Sequence, residues 1–393
     1  MHFPSLRINE QLQSTSSGIW FTPANDGNEI AILIKTTTSI IKSITSGSKI
    51  NFVFGDIQGI LCSGVTIFDI PESPAFIYNA ILHSEEHVAL NEFLNSLTAP
   101  LFIFNELDVC VAWCDIKIDN NKDVTILAGD IKNKYVGEFT DTCSTSLDNF
   151  FNSVFPTQQS EFTDVYKTIL INVECSSWKI NQIDFIGNFD VKTLIINESD
   201  EGSTLEKSIW SSLESVFPLS LYHSPLVRIG EKDRELTDIL TFHEYGSFLF
   251  EAKDFSVLNR NTNPTLERRA TLIKKQSKKA IGQLIGASKA IKRGELVFSK
   301  SGERIPLVTD KPLHCIVLIT EFPHNGDWSD IKSKLFSAMS DTGDFFHILD
   351  LQELIVLLKC SSGDAKLLDY NLIERCKASI ENDSLYIRCR PAQ

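Results

Sequence analysis

The sequence contains no uninterrupted apolar run of 18 residues, no Cys-x-x-Cys pair, no Gly-x-x-x-x-Gly-Lys-Ser/Thr loop and no Gly-x-Gly-x-x-Gly turn. Each absence removes a class. Without a long apolar run there is no candidate membrane span, and without a phosphate-cradling glycine loop, nucleotide hydrolysis by this chain is not expected. The nine cysteines are odd in number and scattered from Cys62 to Cys389, which is not the spacing of a disulfide framework or a paired zinc site. The start, MHFPSLRINEQ, lacks the charged-then-apolar pattern of a signal peptide. A reducing cytoplasm is the expected setting, with no membrane partner. Basic residues are also in deficit, 37 Lys+Arg against 51 Asp+Glu, a net charge of −14. A protein that wraps nucleic acid with its whole surface is excluded, because phosphate neutralisation needs lysine and arginine.

The deficit is uneven. Residues 225 to 300 carry 15 basic and 9 acidic side chains, a net +6, which leaves −20 for the remainder. Any polyanion contact is therefore expected in that stretch. At 393 residues and 42% hydrophobic content the chain is long enough for two or three domains, each with its own core.

Hydrophobic periodicity divides the chain near residue 195. Before it, strand patterns at Glu29–Lys35, Lys49–Phe54 and Ile60–Phe68 are separated by Gly, Ser and Asp turn residues. An amphipathic helix is expected over His83–Leu97, then strands Leu101–Asn105 and Val109–Ile118, a turn at Asp119–Asp123, loop and short helix over 140–165, and a buried strand at Tyr166–Val173. Residues 1–195 are thus expected to form a separate α+β domain of regulatory or targeting role. After 195 the pattern reads helix (Ser203–Phe217), strands Leu236–Phe242 and Phe248–Ala252 around a Glu244-Tyr245-Gly246 turn, a long helix from Leu266 to Lys292 preceded by Pro264 and stopped by Gly294, a strand at His314–Thr320, helices at Ser329–Met339 and Leu351–Leu358, and a short strand after Lys377. That order implies an α/β architecture over 196–393, a mixed central sheet flanked by helices.

Chemistry concentrates in Arg234–Asp254, where acids interrupt two apolar strands. Burying a carboxylate costs several kcal/mol unless something compensates it. Asp238 falls within one strand; Glu251 and Lys253 follow Phe248-Leu249-Phe250 in the next, and a period of two puts them on the same side. Two carboxylates on neighbouring strands, with the carbonyl of Ala252, are hard oxygen ligands suited to Mg²⁺, with Mn²⁺ as a substitute. Such an ion holds a scissile phosphate and acidifies a water, while Lys253 orients the water or stabilises developing charge. The competing reading is a solvated ion pair at a strand end, worth little energetically.

The run Thr237-Asp238 followed by Glu251-Ala252-Lys253 resembles the PD-(D/E)xK, or restriction-endonuclease-like, nuclease superfamily, in which an Asp precedes by one hairpin a strand ending in (Asp/Glu)-x-Lys. Thr237 stands where the family name has Pro. The resemblance covers about 120 residues, from the 203 helix through the 314 strand, and implies a metal-dependent endonuclease acting on DNA in preference to RNA. It implies a further acid from the preceding helix, Glu206 in preference to Glu214, as a metal ligand beside Asp238, Glu251 and Ala252. Some relatives carry a glutamine on the following helix, and Gln283 fits that place with Asp238, Glu251 and Lys253 in the catalytic set; Gln276 lies one heptad earlier. By analogy of domain fusion the resemblance points to bacterial restriction or antiphage defence, with repair or recombination, or a non-catalytic scaffold, as alternatives, and to a homodimer or a partner protein.

On the long helix, Ile273, Ala280, Leu284, Ser288 and Ile291 form one stripe, and Lys274, Lys275, Lys278, Lys289 and Lys292 lie away from it, a face for phosphates or for solvent. His83-Ser-Glu-Glu-His87 spaces two histidines for zinc but lacks the glutamate beside the first, so a solvated helix start is expected. Cys110 and Cys114 are expected to be packed within a strand.

Overall fold

Chain contacts in the computed structural model divide the protein into two units, Met1–Asn181 and Gln182–Gln393. The structure describes all residues except 1–3, 71, 130, 156–165, 189–190, 197–200, 245, 254–265, 308, 321, 323–326 and 390–393. The expected turn residue Tyr245 and Pro264 before the long helix lie outside the described residues. Each unit combines helices with a sheet.

In the first unit the elements run α1 (Leu6–Ser14), β1 (Gly18–Ala24), β2 (Glu29–Lys35), α2 (Thr38–Thr45), β3 (Ile50–Ile57), β4 (Ile60–Ile67), β5 (Ala75–Ile81), α3 (Ser84–Ser96), β6 (Thr98–Phe104), β7 (Cys110–Ile118), α4 (Lys122–Ala128), α5 (Asp141–Val154), β8 (Thr168–Cys175) and β9 (Lys179–Ile180). They form a nine-stranded sheet in the order β1-β2-β6-β7-β8-β3-β4-β5, with β9 beside β7. Neighbours are antiparallel except β2 and β6, which are parallel. The β3–β4 hairpin turns through Gln58 and Gly59, both at positive φ (56° and 84°), the conformation that matches the twist of a two-residue hairpin. Its core is aromatic: the Phe21 ring lies 5.8–6.0 Å from those of Phe52, Phe54 and Phe93, all buried.

Three expectations for this unit need correction. The strand at Tyr166–Val173 is displaced to β8 and is not buried, since its burial alternates and its last residues are open to solvent. The turn at Asp119–Asp123 already contains the first residues of α4, started by Asn121, whose side chain accepts from the Asp123 N–H. The start of α3 is not solvated: Glu86 and His87 are buried, and Arg7 reaches the Glu85–Glu86 carboxylates. Burial pushes the Glu86 carboxyl up to about 7 and the His87 imidazole down.

The second unit begins earlier than residue 195, because β10 (Gln182–Ile186) and β11 (Val191–Ile195) pair with each other and β11 packs on α6 (Glu201–Leu213). There follow β12 (Leu221–His223), β13 (Leu226–Ile229), β14 (Lys232–Glu235), β15 (Ile239–His243), β16 (Gly246–Lys253), α7 (Leu266–Lys292), β17 (Val297–Phe298), β18 (Leu313–Ile319), α8 (Ser329–Thr342), β19 (Phe345–Asp350), α9 (Leu351–Ser361) and α10 (Ala365–Glu381). The central sheet is mixed, in the order β12-β15-β16-β18-β19: antiparallel through β16, then parallel from β16 to β18 and β19. Parallel neighbours need a crossover, and α7 supplies the one between β16 and β18. A second, three-stranded sheet, β14-β13-β17, stands beside it.

Alternation assigns the faces. Leu240, Leu249, Cys315, Val317 and Ile348 pack with Ile273, Ala280, Leu284 and Ile291 of α7 in one core. Phe248, Phe250, Ile316 and Leu349 belong to the opposite side and are also buried. The stripe on α7 holds as expected, with Ser288 fully buried among the apolar residues; each of its large side chains contributes roughly 1.5–3 kcal/mol by leaving water. The expected strand after Lys377 is absent among the described residues, because α10 continues to Glu381. Of the lysines on the face expected to meet phosphates or solvent, Lys292 pairs with the wholly buried Asp344 at 2.6 Å, and Lys278 makes an exposed pair with Asp330 at 2.9 Å, worth little energetically.

Candidate functional site

Asp238 is not inside a strand, as the apolar pattern implied, but is the residue immediately before β15. Its carboxylate is anchored across the strand pair: Asp238 Oδ2 accepts the Ala252 N–H at 2.7 Å. The neighbouring Thr237 hydroxyl donates to the Phe250 carbonyl at 2.7 Å, fixing the same edge two residues back. The hydrogen-bonding groups of Phe250 and Ala252 therefore face β15. In extended backbone the N–H and C=O of one residue project to the same side, so the Ala252 carbonyl is directed to the Asp238 edge.

Glu251 and Lys253 lie at the C-terminal end of β16, opposite Val317 and Ile319 of β18. Glu251 shares the α7-facing side with Leu249 and is only 2% exposed, so it is not a solvated strand end. The Lys253 ammonium donates to Glu251 Oε2 at 2.9 Å and lies 3.6 Å from Asp238 Oδ2. One cation thus stands against both carboxylates.

The electrostatics follow from burial and this like-charge pair. Burial, reinforced by the Asp238 carboxylate, pushes the Glu251 carboxyl up to about 7 despite the opposing pull of Lys253. Asp238 is raised too, by burial first, with Lys253 and the Ala252 N–H opposing. Burial pulls the Lys253 ammonium down, but the attraction of Glu251 and Asp238 together outweighs it and its pKa is raised. Lys253 accordingly remains an ammonium at neutral pH, a donor and a stabiliser of negative charge instead of a base.

The carboxylates open into a cleft of about 240 Å³. One wall is α7, through Gln283 and the small residues Gly286, Ala287 and Ala290; the other is the β13–β14 hairpin, through Val227 and Arg234. Gln283 thus shares the cleft with Asp238 and Glu251, brought there from thirty residues away by the crossover of α7. Gln276, a heptad earlier on the same helix, does not line it.

Glu206 is placed otherwise. Its carboxylate pairs with His223 of β12 at 2.9 Å and does not line the cleft, although its charge is close enough to raise Asp238. Among the described residues no group of three or more His, Cys, Asp and Glu side chains is arranged to hold a metal ion. The acid from the preceding helix is therefore not brought into a three-carboxylate set; the reason is the histidine on β12, which neither the helix pattern nor the motif spacing reveals. Glu214, the second choice, sits against Gly187. Of the expected set there remain two carboxylates and a backbone carbonyl; a third acid, Glu235 of β14, lines the same cleft and raises both Asp238 and Glu251. That donor set fits Mg²⁺, which keeps several waters and is commonly bound through one or two carboxylates.

The β13–β14 hairpin escaped the sequence reading. Its strands are only four residues each, and Lys232–Glu235 is exposed throughout, so the run Lys-Asp-Arg-Glu has no apolar alternation. The available signal was Gly230, at φ 62°, a turn residue between Leu226–Ile229 and a run of alternating charge. No protein-family model matches the chain, and neither a curated protein nor a solved structure matches it.

Proposed function

We propose that the chain is a Mg²⁺- or Mn²⁺-dependent nuclease that hydrolyses phosphodiester bonds, in DNA in preference to RNA, with its centre at Asp238, Glu251 and Lys253. One observation carries the reading: Asp238 and Glu251 line one cleft, and a single ammonium lies 2.9 Å from Glu251 and 3.6 Å from Asp238, so both carboxylates can serve one cationic centre. A pair serving only stability would be a poor device, since burying charges costs more than a well-packed apolar pair of similar volume. The resemblance to restriction-endonuclease-like nucleases implies a mixed central sheet flanked by helices, and the mixed sheet of this unit with its helices is compatible with that reading.

In this reading Asp238, Glu251 and the Ala252 carbonyl would hold the metal, which when bound would supply Lewis-acid charge compensation to the phosphate and lower the pKa of a water. Asp238 is kept in place by the Ala252 N–H, so that the acid and the carbonyl belong to one rigid edge. Lys253, held protonated, donates toward the non-bridging oxygens as charge accumulates on them. Gln283 reaches the same cleft with an amide able both to donate and to accept, suited to orienting the attacking water. The N-terminal unit regulates or targets the nuclease, and restriction or antiphage defence is the setting we favour for the whole chain.

The test is cleavage of plasmid DNA with Mg²⁺ by the wild type, by Lys253→Ala and with EDTA. Cleavage is expected in the first alone. Cutting that survives both Lys253→Ala and EDTA overturns the assignment, and a wild type that cuts no DNA or RNA under any divalent ion supports a scaffold role.

A further inference from the structure

The two faces of the β13–β14 hairpin treat their cations differently. On one face Arg228 is neutralised in bidentate fashion by Asp233 across the strand pair, at 2.8 and 3.1 Å, and lies over the Phe298 ring. On the other face Arg234 stands opposite Val227, and Lys232 opposite Ile229. Val227, Ile229 and Arg234 all line the cleft that contains Asp238 and Glu251. Neither Arg234 nor Lys232 has an ion-pair or side-chain hydrogen-bond partner among the described residues, although Glu235 lines the same cleft. A guanidinium with no partner among the described residues, beside a carboxylate centre, is a planar fork of donors matched to a phosphate, and the lysine toward the hairpin tip is a second point charge farther along.

Across the cleft, α7 presents Gly286 at a place where an added Cβ would meet no atom within 4 Å beyond the neighbouring backbone of its own helix. Nothing inside the molecule calls for a glycine there, and a glycine inside a helix costs about 1 kcal/mol relative to alanine. The wall opposite the arginine is therefore open to close approach by a bulky ligand backbone.

We infer that the β13–β14 hairpin is a backbone arm: Arg234 and Lys232 bind consecutive phosphates beside the one held at the Asp238–Glu251 centre, so the substrate is a polynucleotide strand running past the cleft and not a mononucleotide. The inference rests on the nuclease reading and adds to it the substrate's length and the path it takes. It also assigns the contribution of the basic segment more narrowly, since Lys292 of α7 is committed to the buried Asp344.

The experiment is binding of the full chain, in EDTA so that nothing is cut, to a short labelled DNA duplex, to the matching single strand and to a mononucleotide, across a salt series. Arg234→Gln is expected to weaken polynucleotide binding about tenfold and to make the slope of log Kd against log salt shallower by about 1, as expected for one lost phosphate contact. Lys232→Gln lowers the slope further, and Arg234→Lys recovers part of the loss. Arg228→Gln, on the other face, leaves affinity and slope unchanged. A duplex carrying one methylphosphonate, moved along the strand, identifies the contacted phosphate: the position that weakens the wild type makes no further difference to Arg234→Gln. Affinity and slope in Arg234→Gln equal to wild type overturn the arm, and mononucleotide binding as tight as polynucleotide binding overturns the path. If instead the hairpin variants behave as expected but Lys253→Ala cuts as well as wild type, the arm stands and the catalytic assignment falls.

Discussion

In the absence of metal, Glu251 makes the second unit lose stability as the pH rises, and replacing it with glutamine abolishes that loss. Its carboxyl is held at about 7 in the folded protein against an ordinary 4.5, chiefly by burial and then by Asp238. The folded state therefore binds the proton more tightly than the unfolded chain. The stabilising contribution is complete below pH 4.5, falls as pH rises through 7, and is gone above it. The gap amounts to roughly 3 kcal/mol, at 1.36 kcal/mol per pH unit. Other groups titrate over the same range, so the informative quantity is the difference between Glu251→Gln and wild type. For a unit of the span Gln182–Gln393, that difference corresponds to roughly 6–12 °C in Tm, taking 2–4 °C per kcal/mol. Calorimetry in EDTA at pH 4.5 and pH 8.5 measures it: the variant gains on the wild type between the two conditions. Saturating Mg²⁺ at pH 8.5 then raises the wild type selectively, because an ion bound only by the folded state stabilises it by mass action. Parallel Tm curves for the two proteins across pH in EDTA would refute the burial argument, and an equal Mg²⁺ response in both would remove Glu251 from the metal.

Asp238→Asn retains an oxygen to accept the Ala252 N–H, so its fold should survive while metal-dependent cleavage drops at least a hundredfold, measurable by steady-state kinetics beside circular dichroism. Lys292→Met should act on stability and not on binding: it removes the cation from the buried Asp344 carboxylate, leaving it the Leu313 N–H at 2.9 Å and the Ser288 hydroxyl at 2.5 Å, and should cost about 1–3 kcal/mol in denaturant unfolding, with unchanged DNA affinity. Gln283→Ala should lower kcat more than it raises KM if the amide orients water; an equal loss of both would make it a binding contact. Leu249→Ala, at the centre of the α7-facing core, should cost 2–5 kcal/mol and abolish activity only through unfolding.

The motif residues were legible because each signal was local. Glu251 and Lys253 announce themselves as charges closing an apolar strand, and the period of two places them together without knowledge of the rest of the chain. The long helix was legible for the same reason: its stripe repeats from Ile273 to Ile291, about five turns, and Leu266–Lys292 matches its expected span. Three features had no such signal. Asp238 was read as a strand residue because it lies within the run Leu236–Leu240, yet β15 starts only after it, once Thr237 and Asp238 have used their side chains to bond β16. Glu206 was given a ligand's role by its position on α6, and what removes it is a contact with His223 that depends on where β12 lies. The fates of Lys278 and Lys292 depend likewise on α8 and on the loop before β19.

By itself the sequence determined which residues carry charge at apolar strand ends, the stripe that buries α7, and the segment in which basic residues outnumber acids. Periodicity and composition are properties of neighbours along the chain, and they survive whatever the distant segments do. Only the tertiary structure decided that Gln283 and Arg234 face the same cleft as Asp238 and Glu251, that Glu206 does not, and that Lys292 is paired with a buried carboxylate. Those outcomes depend on a crossover helix returning over the sheet and on a short hairpin standing beside it, which bring together side chains separated by tens of residues. A carboxylate's partner is set by distance in space, and distance in space is what the order of residues leaves open.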